Sequence, residues 1–92
     1  MPILTGLEET IHDIECRFFR RTDRALRLLD LGFAVTAAGD NGAINIWKVW
    51  SEGSEWDYHC KSMRFCQTKD YQIFKTKQEI IPWLKSWLRK IK

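Results

Sequence analysis

The sequence predicts a small α+β domain: a long N-terminal helix, a four-stranded antiparallel meander and a C-terminal amphipathic helix. Three observations carry this. Apolar residues recur at helical spacing from Leu4 to Leu29. Strand-like runs separated by turn residues fill Gly32 to Lys75. A second helical stripe runs from Ile80 to Ile91. At 92 residues the chain makes one domain, residues 1–92, with a thin margin for burying a core. A hydrophobic content of 45% with 13% aromatics excludes an intrinsically disordered chain.

The first helix is expected over residues 4–31, roughly 40 Å long. Leu4, Leu7, Ile11, Ile14, Phe18, Ala25 and Leu29 share its apolar stripe. Thr5 and Glu8 have the spacing of a capping box. Gly32 is its stop. Glu9, Asp13, Arg17, Arg20, Arg24 and Arg27 occupy the opposite face, with Asp13 and Arg17 as an i,i+4 pair. Thr22-Asp23 offers a second cap, so a break near Arg21 is the alternative. A helix this long on so short a chain leaves apolar stripe for a partner subunit.

The meander follows. Phe33–Ala38 is its first strand, and Gly39-Asp40-Asn41-Gly42 its first turn, with positive φ expected at Asn-Gly. Ala43–Trp50 carries apolar residues on both faces, as a central strand covered on two sides does. Glu55–Lys61 alternates cleanly, with Trp56, Tyr58 and Cys60 on one face. The parity then flips to Met63 and Phe65, which calls for a β-bulge or bend near Lys61-Ser62. Gln67-Thr68-Lys69-Asp70 reads as a turn and Tyr71–Lys75 as the last strand. Thr76 and Glu79 form a capping box for the final helix. Pro82 is expected to kink that helix, or to mark its true start.

Charge is uneven along the chain. Residues 1–30 sum to −1, residues 31–60 to −3 and residues 61–92 to +7. A basic last third attracts phosphates or anionic lipid, or simply keeps a helix face in water. The cysteine count is odd: Cys16, Cys60 and Cys66. No basic run leads into an apolar one at the start, and no apolar stretch nears the roughly 20 residues that span a bilayer. Reduced thiols and a cytoplasmic location are the expectation.

Each candidate chemistry competes with an ordinary structural role for the same residues. A metal site would draw on His12, Cys16, His59 and Cys66. It lacks a paired C-x-x-C, and cysteines on apolar faces usually serve as core residues. No metal and no cofactor is expected. A thiol nucleophile would be Cys66, between Arg64 and Lys69, but it sits in no recognisable nucleophile turn. Asp40 with Lys48 faintly suggests a metal-dependent nuclease, but Ile46 stands where an acid is needed. An enzyme is therefore not expected. A basic amphipathic helix over residues 77–92 could lie on a membrane, but more often packs on a sheet.

The favoured expectation is a non-enzymatic protein-interaction or regulatory module, a homodimer. Arg17, Arg20 and Arg24, with Arg21 and Arg27, would meet an acidic partner, and Trp83 and Trp87 would anchor the interface. The alternative is a nucleic-acid-binding protein. There Lys61, Arg64, Lys69, Lys75 and Lys77 neutralise phosphates and Tyr71 stacks on a base.

Overall fold

The computed structural model describes residues 15–50, 53 and 55–92. It holds five strands and two helices: β1 (Cys16–Phe18), α1 (Thr22–Asp30), β2 (Ala34–Gly39), β3 (Gly42–Trp50), β4 (Trp56–Arg64), β5 (Gln67–Phe74) and α2 (Lys77–Lys90). The strands form one sheet in sequence order. β1 runs parallel to β2 and every later pairing is antiparallel. This corrects the expected architecture. The sheet is five-stranded and mixed, not a four-stranded antiparallel meander, and among the described residues there is no long N-terminal helix.

The correction has a local and a non-local cause. Residues 4–14, with Thr5, Glu8 and His12, lie outside the described residues. From Glu15 on, the expected helix is replaced by a strand, a turn and a short helix. Cys16-Arg17-Phe18 is aromatic and unhelical in propensity only weakly, so its strand state comes from pairing with Ala34–Thr36. Phe19 then turns into the core and donates its N–H to the Thr36 carbonyl (2.9 Å). The chain breaks at Arg21, whose extended backbone caps α1. This is the break that Thr22-Asp23 offers as the alternative; the shared stripe spacing of Phe18 and Ala25 favours the longer helix, because period alone cannot show where a helix stops and a strand begins.

α1 ends by a double bond-back. Gly32, at φ +95°, donates to the Leu29 carbonyl (3.1 Å), and Phe33 donates to the Leu28 carbonyl (3.0 Å). That is a Schellman stop, which a residue without a Cβ adopts freely. At α2 the Glu79 N–H reaches the Thr76 hydroxyl (3.4 Å), and that hydroxyl donates to the Glu79 carboxylate (3.0 Å). α2 runs through Pro82, which faces solvent and costs only one early backbone bond.

Both helices pack on one face of the sheet. Cross-strand partners share a face, so Val35–Ile46–Cys60 and Ala37–Ile44–Ser62 point the same way. They meet Ala25, Leu28 and Leu29 of α1 and Ile80, Leu84 and Trp87 of α2, all buried. Tyr58 and Phe74 extend this layer along β4 and β5. Trp47 has the other parity. It is fully buried on the face turned away from the helices, stacked on His59 (centroids 5.5 Å) with Tyr71 edge-on (6.0 Å). Trp50, three residues on, is 56% exposed.

One turn keeps its expected place and the other does not. The β2–β3 loop is Asp40-Asn41, closed by the Gly39–Gly42 pair, and the positive φ falls on Gly42 (+152°) instead of Asn41. A side chain at Gly39 would collide with the Ile91 backbone, which docks the end of α2 against this turn. The β4–β5 turn is Phe65-Cys66, with φ of 52° and 63°, while Gln67–Asp70 is the start of β5 and not a turn. A polar, exposed edge strand resembles a loop in composition. The register slips between Ser62 and Met63, since Ser62 faces Asp70 and Met63 faces Thr68, leaving Lys69 as the extra residue of the bulge.

Candidate interaction surface

The C-terminal ends of β1 and β2, the β4–β5 turn and the last turn of α2 meet at one end of the sheet. α1 starts there. Its buried face, Ala25, Leu28 and Leu29, fixes its rotation on the sheet. The 3.6-residue period then places Arg24 and Arg27 along the outward face, and Arg20 precedes the helix by two residues. Arg20, Arg21, Arg24, Arg27 and Asp23 line a depression of ≈ 300 Å³. Arg21 and Asp23 approach to 3.4 Å with both side chains exposed. Among the described residues Arg20, Arg24 and Arg27 have no ion pair.

Arg20, Arg21 and Arg24 stand at the wrong end of a helix, whereas Arg27 lies in its last turn, where a cation is favoured. The first turn of α1 exposes unpaired backbone N–H groups and the positive pole of the helix dipole. Acids are favoured there, yet Asp23 is the only acid in the first turn, and Arg21 supplies no side-chain cap. Positive charge is thus concentrated on a positive pole. An anion placed there would relieve both repulsions.

Arg20 also lines three further depressions. One of ≈ 480 Å³ runs between the helices, walled by Leu26 of α1 and Ile81 and Leu88 of α2, with Arg20, Arg21, Thr22, Asp23 and Lys85 around it. One of ≈ 440 Å³ includes Phe18, 79% exposed, and Arg24. One of ≈ 320 Å³ reaches Leu88, Ile91 and Lys92. The surface is therefore cationic, with apolar patches between the charges.

The expected interface residues separate. Arg20 and Arg24 belong to this surface. Arg17 lies on β1, paired with Glu15 (2.6 Å) and lying over the Phe33 ring (4.9 Å). Trp83 and Trp87 are structural. Both indoles donate to the Asp70 carboxylate (2.8 and 3.3 Å), tying α2 to β5. Burial pushes the Asp70 pKa up, but bonds from Gln72, Trp83, Trp87 and the Tyr71 N–H outweigh it, and the net shift is downward. Lys85, Leu26, Ile81 and Leu88 were not foreseen as one surface. The arginine spacing is readable in sequence, but the meeting of the two helices is not.

The nucleic-acid set is dispersed. Lys61 and Tyr71 are cross-strand partners on the face turned away from the helices, where the Tyr71 hydroxyl lies 2.5 Å from His59 Nδ1. Arg64 donates to the Asn41 carbonyl (3.2 Å) and lies over Phe65 at the turn. Lys69 donates to Gln67 (3.1 Å). Lys75 pairs with Asp57 (2.6 Å) and Lys77 with Asp30 (2.7 Å) at the opposite end of the sheet, and those bonds raise both lysine pKa values.

The remaining candidates are also apart. Cys16 is on β1, His59 on β4 and Cys66 in the β4–β5 turn. His12 lies outside the described residues, and among the described residues no three metal-binding side chains converge. Cys60 is buried, and its thiol is pushed up to about 12 by that burial, with Asp70 adding to it. Asp40 sits in the β2–β3 loop, whereas Lys48 lies over Trp56 near the far end of β3. Ile80, Leu84, Trp87 and Ile91 are spent on the sheet, so the apolar stripe of residues 77–92 is not free for lipid. Among the described residues no helix is long and apolar enough to cross a membrane. Comparison with protein-family models, curated proteins and solved structures finds no match for this chain.

Proposed function

We propose that the protein is a non-enzymatic interaction module that recognises an acidic protein partner through the arginines at the start of α1. The supporting observation is the concentration of Arg20, Arg21 and Arg24 around the positive pole of a helix, with Asp23 as the nearby acid and Arg27 extending the cationic surface along the helix. Such a placement costs stability by itself and is rewarded only when an anion arrives. Arginine suits this role, since its planar fork meets a carboxylate with two parallel bonds. A protein is favoured over nucleic acid because the cations alternate with aliphatic side chains, Leu26, Ile81 and Leu88, instead of forming a continuous basic track, and the exposed Phe18 beside Arg20 and Arg24 adds to that apolar surface. The homodimer expected from a long exposed stripe loses that support with the long helix, and the module is proposed as a partner-binding unit.

The test is fluorescence anisotropy of a labelled peptide of alternating Asp and Glu, at about 50 and about 200 mM salt. Arg20→Glu/Arg24→Glu should weaken binding by at least about tenfold at the lower salt. Lys75→Glu/Lys77→Glu, which alters the same amount of charge elsewhere, should bind as the wild type does. Equal loss in both variants would reduce the effect to net charge and refute the site. Tighter binding of an oligouridine than of the acidic peptide would replace the proposal with a nucleic-acid module.

A further inference from the structure

The groove between α1 and α2 differs in kind from the arginine face beside it. Leu26, Ile81 and Leu88 are only partly buried there, so apolar surface stays in contact with water inside a ring of charge. Leu26 and Leu88 pack from their inner sides on the core, which holds them in place as a fixed floor. Arg20, just before α1, and Lys85, on α2, both line its rim, with Arg21 and Asp23 beside them. A ligand made only of carboxylates would satisfy the rim and leave the floor wet. A purely apolar ligand would cover the floor and desolvate two cations without pairing them.

We infer that the groove takes one large aliphatic side chain of an acidic peptide segment, with carboxylates flanking it on both sides to reach Arg20 and Lys85. This rests on the proposed recognition of an acidic protein and names the feature that distinguishes its partner from any polyanion. The apolar anchor supplies affinity by removing the floor from water. The flanking acids supply orientation.

Two short peptides test this, identical in their Asp and Glu residues, one with a central Leu and one with Ser in its place. The Leu peptide should bind wild-type protein about tenfold tighter than the Ser peptide. Ile81→Ser should abolish that difference and leave Ser-peptide affinity unchanged. Should Ile81→Ser fail to fold, nuclear Overhauser contacts between the peptide Leu methyls and the Ile81 and Leu88 methyls of wild-type protein give the same answer, and their absence refutes the anchor. Equal affinity for the two peptides overturns the anchor while the charge-based reading stands. Binding of neither peptide overturns both, and binding of oligouridine alone transfers the surface to nucleic acid.

Discussion

The two ends of the sheet treat positive charge in opposite ways. At the end where β5 leads into α2, Lys75 is neutralised by Asp57, Lys77 by Asp30, and Lys48 lies over the Trp56 ring. Each of these contacts joins elements that must meet: β4 to the residue just before the α2 cap, α1 to α2, and β3 to β4. At the end where β1 leads into α1, Arg20 and Arg24 have no carboxylate partner among the described residues. Charge at the first end belongs to folding. Charge at the second is surplus to it, and surplus charge on an unfavourable helix pole is where an external partner is to be sought.

The largest expected effect concerns what holds α2 between those ends. Asp70 accepts bonds from Trp83, Trp87 and Gln72. Asp70→Ala should cost ~1–3 kcal/mol in urea unfolding, since two indole N–H groups lose their acceptor. The Asp70 pKa is lowered in the folded state, so the unfolded chain takes up its proton first as pH falls. Its contribution is therefore complete above the ordinary Asp range and is lost as pH drops through the folded-state value. Asp70→Asn should flatten this acid limb of the stability curve, and an unchanged limb would assign it to another carboxylate.

Next in size is the divergence of binding and stability at the arginine end. Arg20→Glu/Arg24→Glu should weaken acidic-peptide binding about tenfold while Tm holds or rises, because acids suit the start of a helix. A fall in both would mean that these arginines serve the fold, and the contrast between the ends would collapse.

The β4–β5 turn gives a smaller, opposite effect. Phe65 and Cys66 both have positive φ, a conformation that non-glycine residues adopt at a cost. Phe65→Asn/Cys66→Gly should stabilise the protein by ~1 kcal/mol, measured by urea unfolding. Phe65 is 76% exposed, so no core contact offsets the gain.

The smallest change is expected at the paired end. Lys75→Ala and Lys77→Ala remove exposed ion pairs, and Tm should move little. Any effect should fade with added salt, and peptide affinity should stay at the wild-type level. A large loss of affinity here would move the site to the opposite end of the molecule.

Particular residues show how far the sequence could be read. Thr76, Glu79 and Gly32 were legible because caps and stops are made by groups within a few residues of one another. The register slip falls close to the bulge expected near Lys61-Ser62, but its extra residue is Lys69 of β5, and β4 itself keeps its parity against β3. Cys16–Phe18 was not legible. Three residues hold as a strand only because Ala34–Thr36, far along the chain, lie beside them. Nor was the Phe65-Cys66 turn, where the hairpin imposes a backbone that neither residue favours. Gln67–Asp70 was read as a turn because an exposed edge strand carries the polar residues of a loop. In the candidate site, the Arg20–Arg24–Arg27 spacing was visible in one dimension. Leu26, Ile81 and Leu88 come together only when two helices share a sheet face.

The sequence by itself determined the local devices of this protein: the stop of α1 at Gly32, the cap of α2 at Thr76, the alternation of its central strands and the spacing of its arginines. These follow from interactions within one turn or one strand, where backbone geometry leaves few choices. The tertiary structure alone decided that β1 is a strand, that Trp83 and Trp87 serve Asp70, and which lysines are neutralised. Those outcomes depend on contacts between distant segments, whose energies exist only once the chain has closed the loops between them.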